Sequence, residues 1–480
     1  MSRHPPSGLQ MRLKADDLSS PRPAPAPDAA AVPAPLAAAS AAPRRRRYLP
    51  VRAKFSLALA AALAWGILSY GIATPWIAAL ALHIGSGAAH LVIFGIALLP
   101  GFMNAFMVSS LLLDHRPAFK HRPATLPALT ILVAAYNEQD SIEDTLESIA
   151  LQAYPGELGV VVINDGSTDG TAAILERLRP RYPWLRVIHL ARNAGKSAAL
   201  NAGLRTVDTP YVITVDGDSY LFRHALENLV LRLLGDPAHT AAVAGAVMVR
   251  NSRANLVTKI QEWDYFHGIA AVKRIQSLYQ GTLVAQGAFS IYRSDALRQV
   301  GGWRPVVGED IVLTWALLEA GYRVGYCENA CLFTNAPATW RQFIRQRQRW
   351  SRGLIEAFKS HWRLLFKPRL SSLFVWWNAT FPYLDLVYTF VFLPGIVLAL
   401  FGHYYIAGPM TLIVLPLAML VNYVMFRVQV RMFQEQGLKV RKNVAGFVLY
   451  ALFYSLVLQP ACVIGYLKEV VLRSKNWGTK

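Results

Sequence analysis

Apolar and polar positions alternate between two textures along this chain. At 55–73 and 91–113 the residues are almost all apolar, and each run is about long enough to cross a bilayer as a helix, which takes roughly 20 residues. From about 126 to 366 the texture becomes that of a soluble α/β domain. "ALTILVAAY", "GVVVIND" and "YVITVDGD" have the composition of short buried strands, while "SIEDTLESIALQ" and "TAAILERLRPRY" carry apolar residues at helical spacing. Strand and helix alternating through short loops predict a mostly parallel, doubly wound sheet, in which ligands bind beyond the carboxyl ends of the strands. The polar clusters of the domain fall at those ends. After 373 the apolar texture returns, with candidate spans at 374–401, 406–426 and 444–467. Residues 1–43 are rich in Ala and Pro, with too few large apolar side chains to offset the entropy of ordering, which predicts a disordered tail. The predicted organisation is a tail at 1–43, two membrane helices within 44–123, an α/β domain at 124–340, an amphipathic interface region at 341–370 and about three membrane segments within 371–480.

Composition and charge narrow this picture. The 480 residues are 54% hydrophobic and only 16% charged, with a mean hydropathy of +0.29, too apolar for a cytosolic protein of this length. The formal net charge is +20. Lys and Arg gather beside apolar runs and no recognition motif accompanies them, so the predicted partner is a lipid bilayer and not a nucleic acid. "RRRR" at 44–47 precedes the first span and "DHRPAFKHRP" follows the second, which puts both flanks in the cytoplasm. The first apolar run starts beyond residue 50, unlike a cleaved signal peptide. Three spans after a cytoplasmic domain would leave the basic "KEVVLRSKNWGTK" outside, against the same rule. The first of the three, with Pro382 and Asp385 inside it, is the predicted re-entrant or interfacial segment. Cys327, Cys331 and Cys462 are too few for a disulfide framework and lack companions for a zinc site, which leaves ordinary buried thiols.

Six short clusters carry the candidate chemistry. "AAYNE" at 134–138 and "NDGSTDGT" at 164–171 follow the first two strands, and either alone is a turn rich in Asn, Asp and Gly. "RNAGKSAALN" at 192–201 has the Gly195, Lys196, Ser197 run of a nucleotide-triphosphate loop, but that pattern requires glycine at 190, which is leucine. The third strand ends in Asp216 and Asp218. An ion bridging a diphosphate takes one or two protein carboxylates and keeps several waters, which suits such a pair; a solvated loop is the plain alternative. "GED" at 308–310 opens an apolar helix, where an acid is commonly a cap. "RQRQRW" at 345–350 stands at the entrance to the membrane, where a basic collar would touch headgroups but has no need to end in tryptophan.

In order, "AYNE", "NDGS", "NAGKSAALN", "DGD", "QGAFSIYR", "GED" and "QRQRW" resemble the processive branch of glycosyltransferase family 2, which contains the cellulose, chitin, hyaluronan and poly-N-acetylglucosamine synthases. The resemblance covers about 130–366, with Asn164 where an Asp is frequent and Gly308 where a Thr is frequent. It implies a cytoplasmic α/β domain of the GT-A type inserted between transmembrane helices of a bacterial inner membrane, a UDP-sugar donor and a one-step inversion at the anomeric carbon. By position, Ala135, Tyr136, Glu138 and Asp165 would hold uridine and ribose, and Lys196 would lie near the nucleotide. Asp218, supported by Asp216, would bind Mg2+ or Mn2+ across the diphosphate. Asp310 matches the general base, with Glu309 in support. Gln346 and Arg349 would clamp the diphosphate, Gly287 would let backbone approach sugar, and Trp350 would offer the growing polysaccharide a flat face. Arg345 and Arg347 are expected toward headgroups.

A transporter would need polar residues at mid-membrane and paired broken helices, whereas here the polar motifs sit in the soluble domain. The surroundings of "QRQRW" and the compact length favour UDP-N-acetylglucosamine as donor and a β-linked poly-N-acetylglucosamine product, passed through the enzyme's own helices. A cellulose-, hyaluronan- or chitin-like glycan, or transfer of one sugar to a lipid, are the alternatives. A small membrane accessory subunit is a further partner that such relatives suggest.

Overall fold

The structure, a computed structural model, describes residues 48–114, 123–408, 419–427 and 442–472, together with 411, 430 and 434. The predicted tail at 1–43, the arginine run at 44–47, much of the 406–426 span and most of the basic loop at 427–442 lie outside the described residues.

The described strands are β1 (Leu129–Ala135), β2 (Leu158–Asn164), β3 (Leu185–His189), β4 (Tyr211–Asp216), β5 (Ser219–Leu221), β6 (Thr240–Val249), β7 (Phe289–Arg293) and β8 (Arg323–Thr334). They form one sheet in the order β3-β2-β1-β4-β7-β6-β8-β5. β3, β2, β1 and β4 are parallel, with the helices Ile142–Ala150, Thr171–Leu178 and Lys196–Leu204 in the connections. Their continuous Val, Ile and Leu content follows from burial on both faces, as Ile131 and Val133 enter one core and Leu132 the other. Ala135 pairs in register with Asn164, and Ala134 with Asp216, so the carboxyl ends of β1, β2 and β4 open at a common edge. Beyond β4 the sheet is mixed: β7 runs antiparallel to β4 and β6, while β6 and β8 are parallel. The reversal brings "QGAF" against the end of β4, where the Asp216 N–H donates to the Ala288 carbonyl at 3.3 Å.

Four helices among the described residues are long and apolar enough to cross a membrane: Val51–Ile84, Ser86–Leu113, Ser372–Leu400 and Val444–Val471. Pro382, inside the segment expected to be re-entrant or interfacial, does not break the third helix. The helix continues through a π-helical turn at Tyr388–Phe392, a local adjustment that accommodates the carbonyls a proline frees. The α/β domain is fastened to the membrane helices by Arg274, which pairs with the buried Asp114 at 2.6 Å, and by Tyr279, which packs on Phe55 and Phe106. All three cysteines are free thiols; Cys327 and Cys331 are buried and Cys462 is partly so.

Candidate active site

The first loops at the sheet edge hold one another. Both Asp165 oxygens accept backbone N–H groups at 2.8 Å, from Ala194 and from Gly195, so this carboxylate shapes the loop that enters the helix Lys196–Leu204. Asn164, in place of the frequent Asp, accepts from the Ser167 N–H at 3.1 Å and meets the His189 ring at 3.0 Å, two contacts that suit an amide. Glu138 accepts from the Ser141 hydroxyl at 2.7 Å, and its own N–H donates to Thr171 at 2.8 Å. Ala135 is buried as the last residue of β1, and Tyr136 beyond it is exposed. Gly166 has φ +65°, and a β-carbon there would lie 2.8 Å from Arg192 Cα, so the "NDGS" turn needs glycine.

A charged knot lies where β4, the "QGAF" segment and the "GED" helix meet. Lys196 Nζ pairs with Asp216 and stands 4.0 Å from Glu309 Oε1. Burial disfavours its charge, but Asp216, Glu309 and Asp310 together hold it well above the usual lysine range. Gly287 sits over this amine, and a β-carbon would lie 3.0 Å from Nζ. The Gly287 N–H donates to Asp310 Oδ2 at 3.3 Å, and the Ile311 N–H to Oδ1 at 2.8 Å. Burial, then the Asp310 charge, push Glu309 up to about 8 against the opposing Lys196. Burial, then Asp216 and Glu138, push Asp218 up to about 6, while Thr334 donates to it at 3.3 Å. Among the described residues no group of three or more His, Cys, Asp or Glu converges to cage a metal. The surplus negative charge around Asp218 fits an ion held chiefly by a substrate's diphosphate, which takes only one or two protein carboxylates.

The third part of the site is the helix Trp340–His361, which carries "RQRQRW" and begins in a capping box of Thr339 and Gln342. Arg347 does not face headgroups. Successive helical residues are turned by about 100°, so Arg345 and Arg347 point nearly oppositely; Arg345 is exposed and Arg347 is 3% exposed. Arg347 joins the buried stripe of Phe343 and Leu354, its Nη2 lies 2.7 Å from Asp264 Oδ2, and its guanidinium stacks 4.1 Å from the centre of the Trp350 ring. Trp350 keeps 40% of its surface open. The Gln346 amide meets the buried Tyr265 hydroxyl, and Tyr265 also senses the charge of Asp218. Arg349 is half-buried and acts electrostatically on Glu309.

The mixed sheet, its level carboxyl ends and the acids gathered there belong to a known pattern. Residues 130–301 match the family model described as Glycosyl transferase family 2. Residues 130–301 are a family 2 glycosyl transferase domain. The chain is 32% identical over 229 residues to the poly-beta-1,6-N-acetyl-D-glucosamine synthase of Staphylococcus aureus strain MSSA476, covering 48% of this chain and 55% of that one. It is 31% identical over 248 residues to the synthase of the same name from Staphylococcus epidermidis, covering 52% of this chain and 59% of that one. The chain thus spans little more than half the length of these relatives. Its fold also resembles a mannosyltransferase of Pyrobaculum calidifontis solved with GDP-Man and Mn2+, with a TM-score of 0.51 and 19% identity over 88% of this chain and all of that one.

Several residues that build the candidate site lay outside the sequence motifs. The Gly308 N–H donates to Glu356 Oε2 at 3.0 Å, and a β-carbon on Gly353 would lie 2.8 Å from Gly308 Cα. The "GED" loop and the helix bearing Trp350 therefore touch backbone to backbone, which accounts for glycine at 308 in this chain. Lys273, 7% exposed on the helix Ala270–Leu278, faces Asp310 electrostatically; burial pushes it down to about 7, with Asp310 opposing. Gly353 sits on the docked side of its helix, which helical periodicity alone could have flagged; Glu356 and Lys273 left no such signal.

Proposed function

We propose that this protein is a processive, inverting glycosyltransferase that builds β-linked poly-N-acetylglucosamine from UDP-N-acetylglucosamine at the membrane. One observation carries the reading beyond the family: the helix that presents Trp350 packs directly on the loop of Asp310, so a sugar stacked on the indole would stand beside a candidate base. The partial likeness to poly-beta-1,6-N-acetyl-D-glucosamine synthases supports N-acetylglucosamine as the sugar. The four apolar helices support a membrane setting with the transferase on the cytoplasmic side and the product passed across.

In this reading Ala135, Tyr136 and Glu138 border the uridine, and Asp165 keeps the 194–195 loop shaped around it. Asp218, with Asp216 beside it, would hold Mg2+ or Mn2+, which would supply positive charge against the departing diphosphate. Lys196, Gln346 and Arg349 add cationic and hydrogen-bonding groups on the same side. Asp310 takes the proton of the acceptor hydroxyl as that oxygen displaces UDP from the opposite face of the anomeric carbon, which turns an α-linked donor into a β-linked product. Glu309, whose carboxyl burial and then the Asp310 charge push up to about 8, holds its own proton near neutrality and is not the group that accepts one. Asp310→Asn should abolish transfer while donor binding, followed by displacement of a fluorescent UDP analogue, persists. Retained transfer would reject Asp310 as the base.

A further inference from the structure

The last apolar helix, Val444–Val471, has 28 residues and a length of about 42 Å, enough to cross the roughly 30 Å of hydrocarbon. Its polar contacts gather on the transferase, apart from the Tyr466 hydroxyl, which donates to Asp385 on the helix Ser372–Leu400 at 2.8 Å. At its start, the Asn443 side chain donates to the Lys259 carbonyl at 3.0 Å and the Trp263 indole N–H donates to the Asn443 carbonyl at 2.9 Å. Both partners lie on Leu256–Trp263, a helix of the transferase side. At its end, Lys359 and Arg352 donate to Glu469 at 2.9 and 3.2 Å, and Lys468 donates to Gln348 at 2.7 Å. Those partners lie on Trp340–His361.

Between the ends, Tyr454 packs on Phe343, and a β-carbon on Gly465 would collide with Ser351. The contacts therefore advance in the same direction along both helices, from 343 with 454, through 351 with 465, to 352 and 359 with 469. The two helices lie side by side. Trp340–His361 carries Arg341, Arg345, Arg347, Arg349, Arg352 and Lys359, a charge load that hydrocarbon does not accept. A helix laid along it does not cross either. The side turned away from these contacts, with Val444, Val448, Leu452, Leu467 and Val471, is exposed and wholly apolar.

We propose that Val444–Val471 lies along the membrane surface, one side in lipid and the other on the transferase, so that both its ends stay on the transferase's side of the bilayer. Charge supports this independently. If 372–400 and 406–426 cross as a pair, the basic loop at 427–442 and the basic run at 468–480 fall on the same side as the arginines at 44–47, as the positive-inside rule requires. The proposal stands apart from the identity of the sugar.

The test uses full-length protein with its three cysteines changed to serine and one new cysteine, Lys442→Cys or Asn476→Cys. A membrane-impermeant maleimide is applied to inside-out and right-side-out vesicles, and Arg205→Cys, at an exposed position of the domain, marks the transferase side. Both new cysteines should label in the orientation that labels Arg205→Cys. Labelling of Asn476→Cys only in the opposite orientation would overturn the proposal. Green fluorescent protein fused after Lys480 of the unsubstituted chain gives the same readout without substitutions: a fluorescent fusion in bacterial cells supports the in-plane helix, and an expressed but dark one contradicts it.

Discussion

The Arg347 guanidinium lies against one face of the Trp350 indole, 4.1 Å from the ring centre, with Asp264 at 2.7 Å behind it. The arginine expected toward lipid headgroups is thus the backing of the candidate acceptor platform. Arg345→Ala should leave polymer synthesis near wild type, while Trp350→Ala should lose it with the fold intact. Arg347→Ala should also cost about 3–5 kcal/mol of stability, because it strands Asp264 as an uncompensated buried charge. Thermal melts beside product gels separate these outcomes. Replacing both partners, as Arg347→Met with Asp264→Asn, should restore most of the melting temperature.

Gly308 and Gly353 touch backbone to backbone, so Gly308→Thr, a change toward the residue frequent in the family, should be harmful in this chain. The added side chain must displace the helix that carries Trp350, an overpacking cost of about 1–3 kcal/mol. Transfer rate should fall more than stability, read as turnover beside melting temperature. An active Gly308→Thr enzyme would show that the helix shifts without consequence.

Glu309 gives a pH dependence of defined sign. Burial and Asp310 push its carboxyl up to about 8 in the folded protein, against about 4.3 for an unfolded glutamate. Between those values the folded state holds a proton that the unfolded chain has released, so the group's contribution to stability falls as pH rises toward 8 and levels off above it. Glu309→Gln removes that loss. The melting temperature of the variant minus that of wild type, in metal-free buffer without donor, should grow from pH 5 to 8 and then stay constant. A difference independent of pH would place Glu309 in a less buried setting.

Asp165 holds two backbone N–H groups at 2.8 Å. Asp165→Ala leaves both without their acceptor; because residues 191–194 are exposed and water can replace it, the cost should be about 0.5–1.5 kcal/mol. Because that loop opens the helix of Lys196, the Michaelis constant for the donor should rise several-fold with a smaller change in turnover. A fall in turnover alone would remove Asp165 from the donor side.

The parallel half of the sheet was legible in the sequence because strands buried on both faces have little choice but Val, Ile and Leu, as in "LTILVAA" and "LGVVVIN". The placement of the motif residues was legible for another reason: Asp165, Lys196, Asp216 and Asp310 sit at strand or helix ends, where chain order fixes them at one edge. What escaped was set by contacts distant along the chain. Glu356 reaches Gly308 from 48 residues away, and Lys273 meets Asp310 from another helix. Arg347 was misplaced because it was grouped with Arg345 toward the headgroups, although a helix turns 345 and 347 to opposite sides.

The most direct test of the central claim is to supply membranes containing the full-length protein with radiolabelled UDP-N-acetylglucosamine and Mg2+, and to resolve the product by length before and after digestion with a β-1,6-specific N-acetylglucosaminidase. The account predicts long chains that the hydrolase degrades and that Trp350→Ala membranes do not make. A product carrying a single sugar on lipid, or no incorporation from this donor beside polymer from another UDP-sugar, would contradict it.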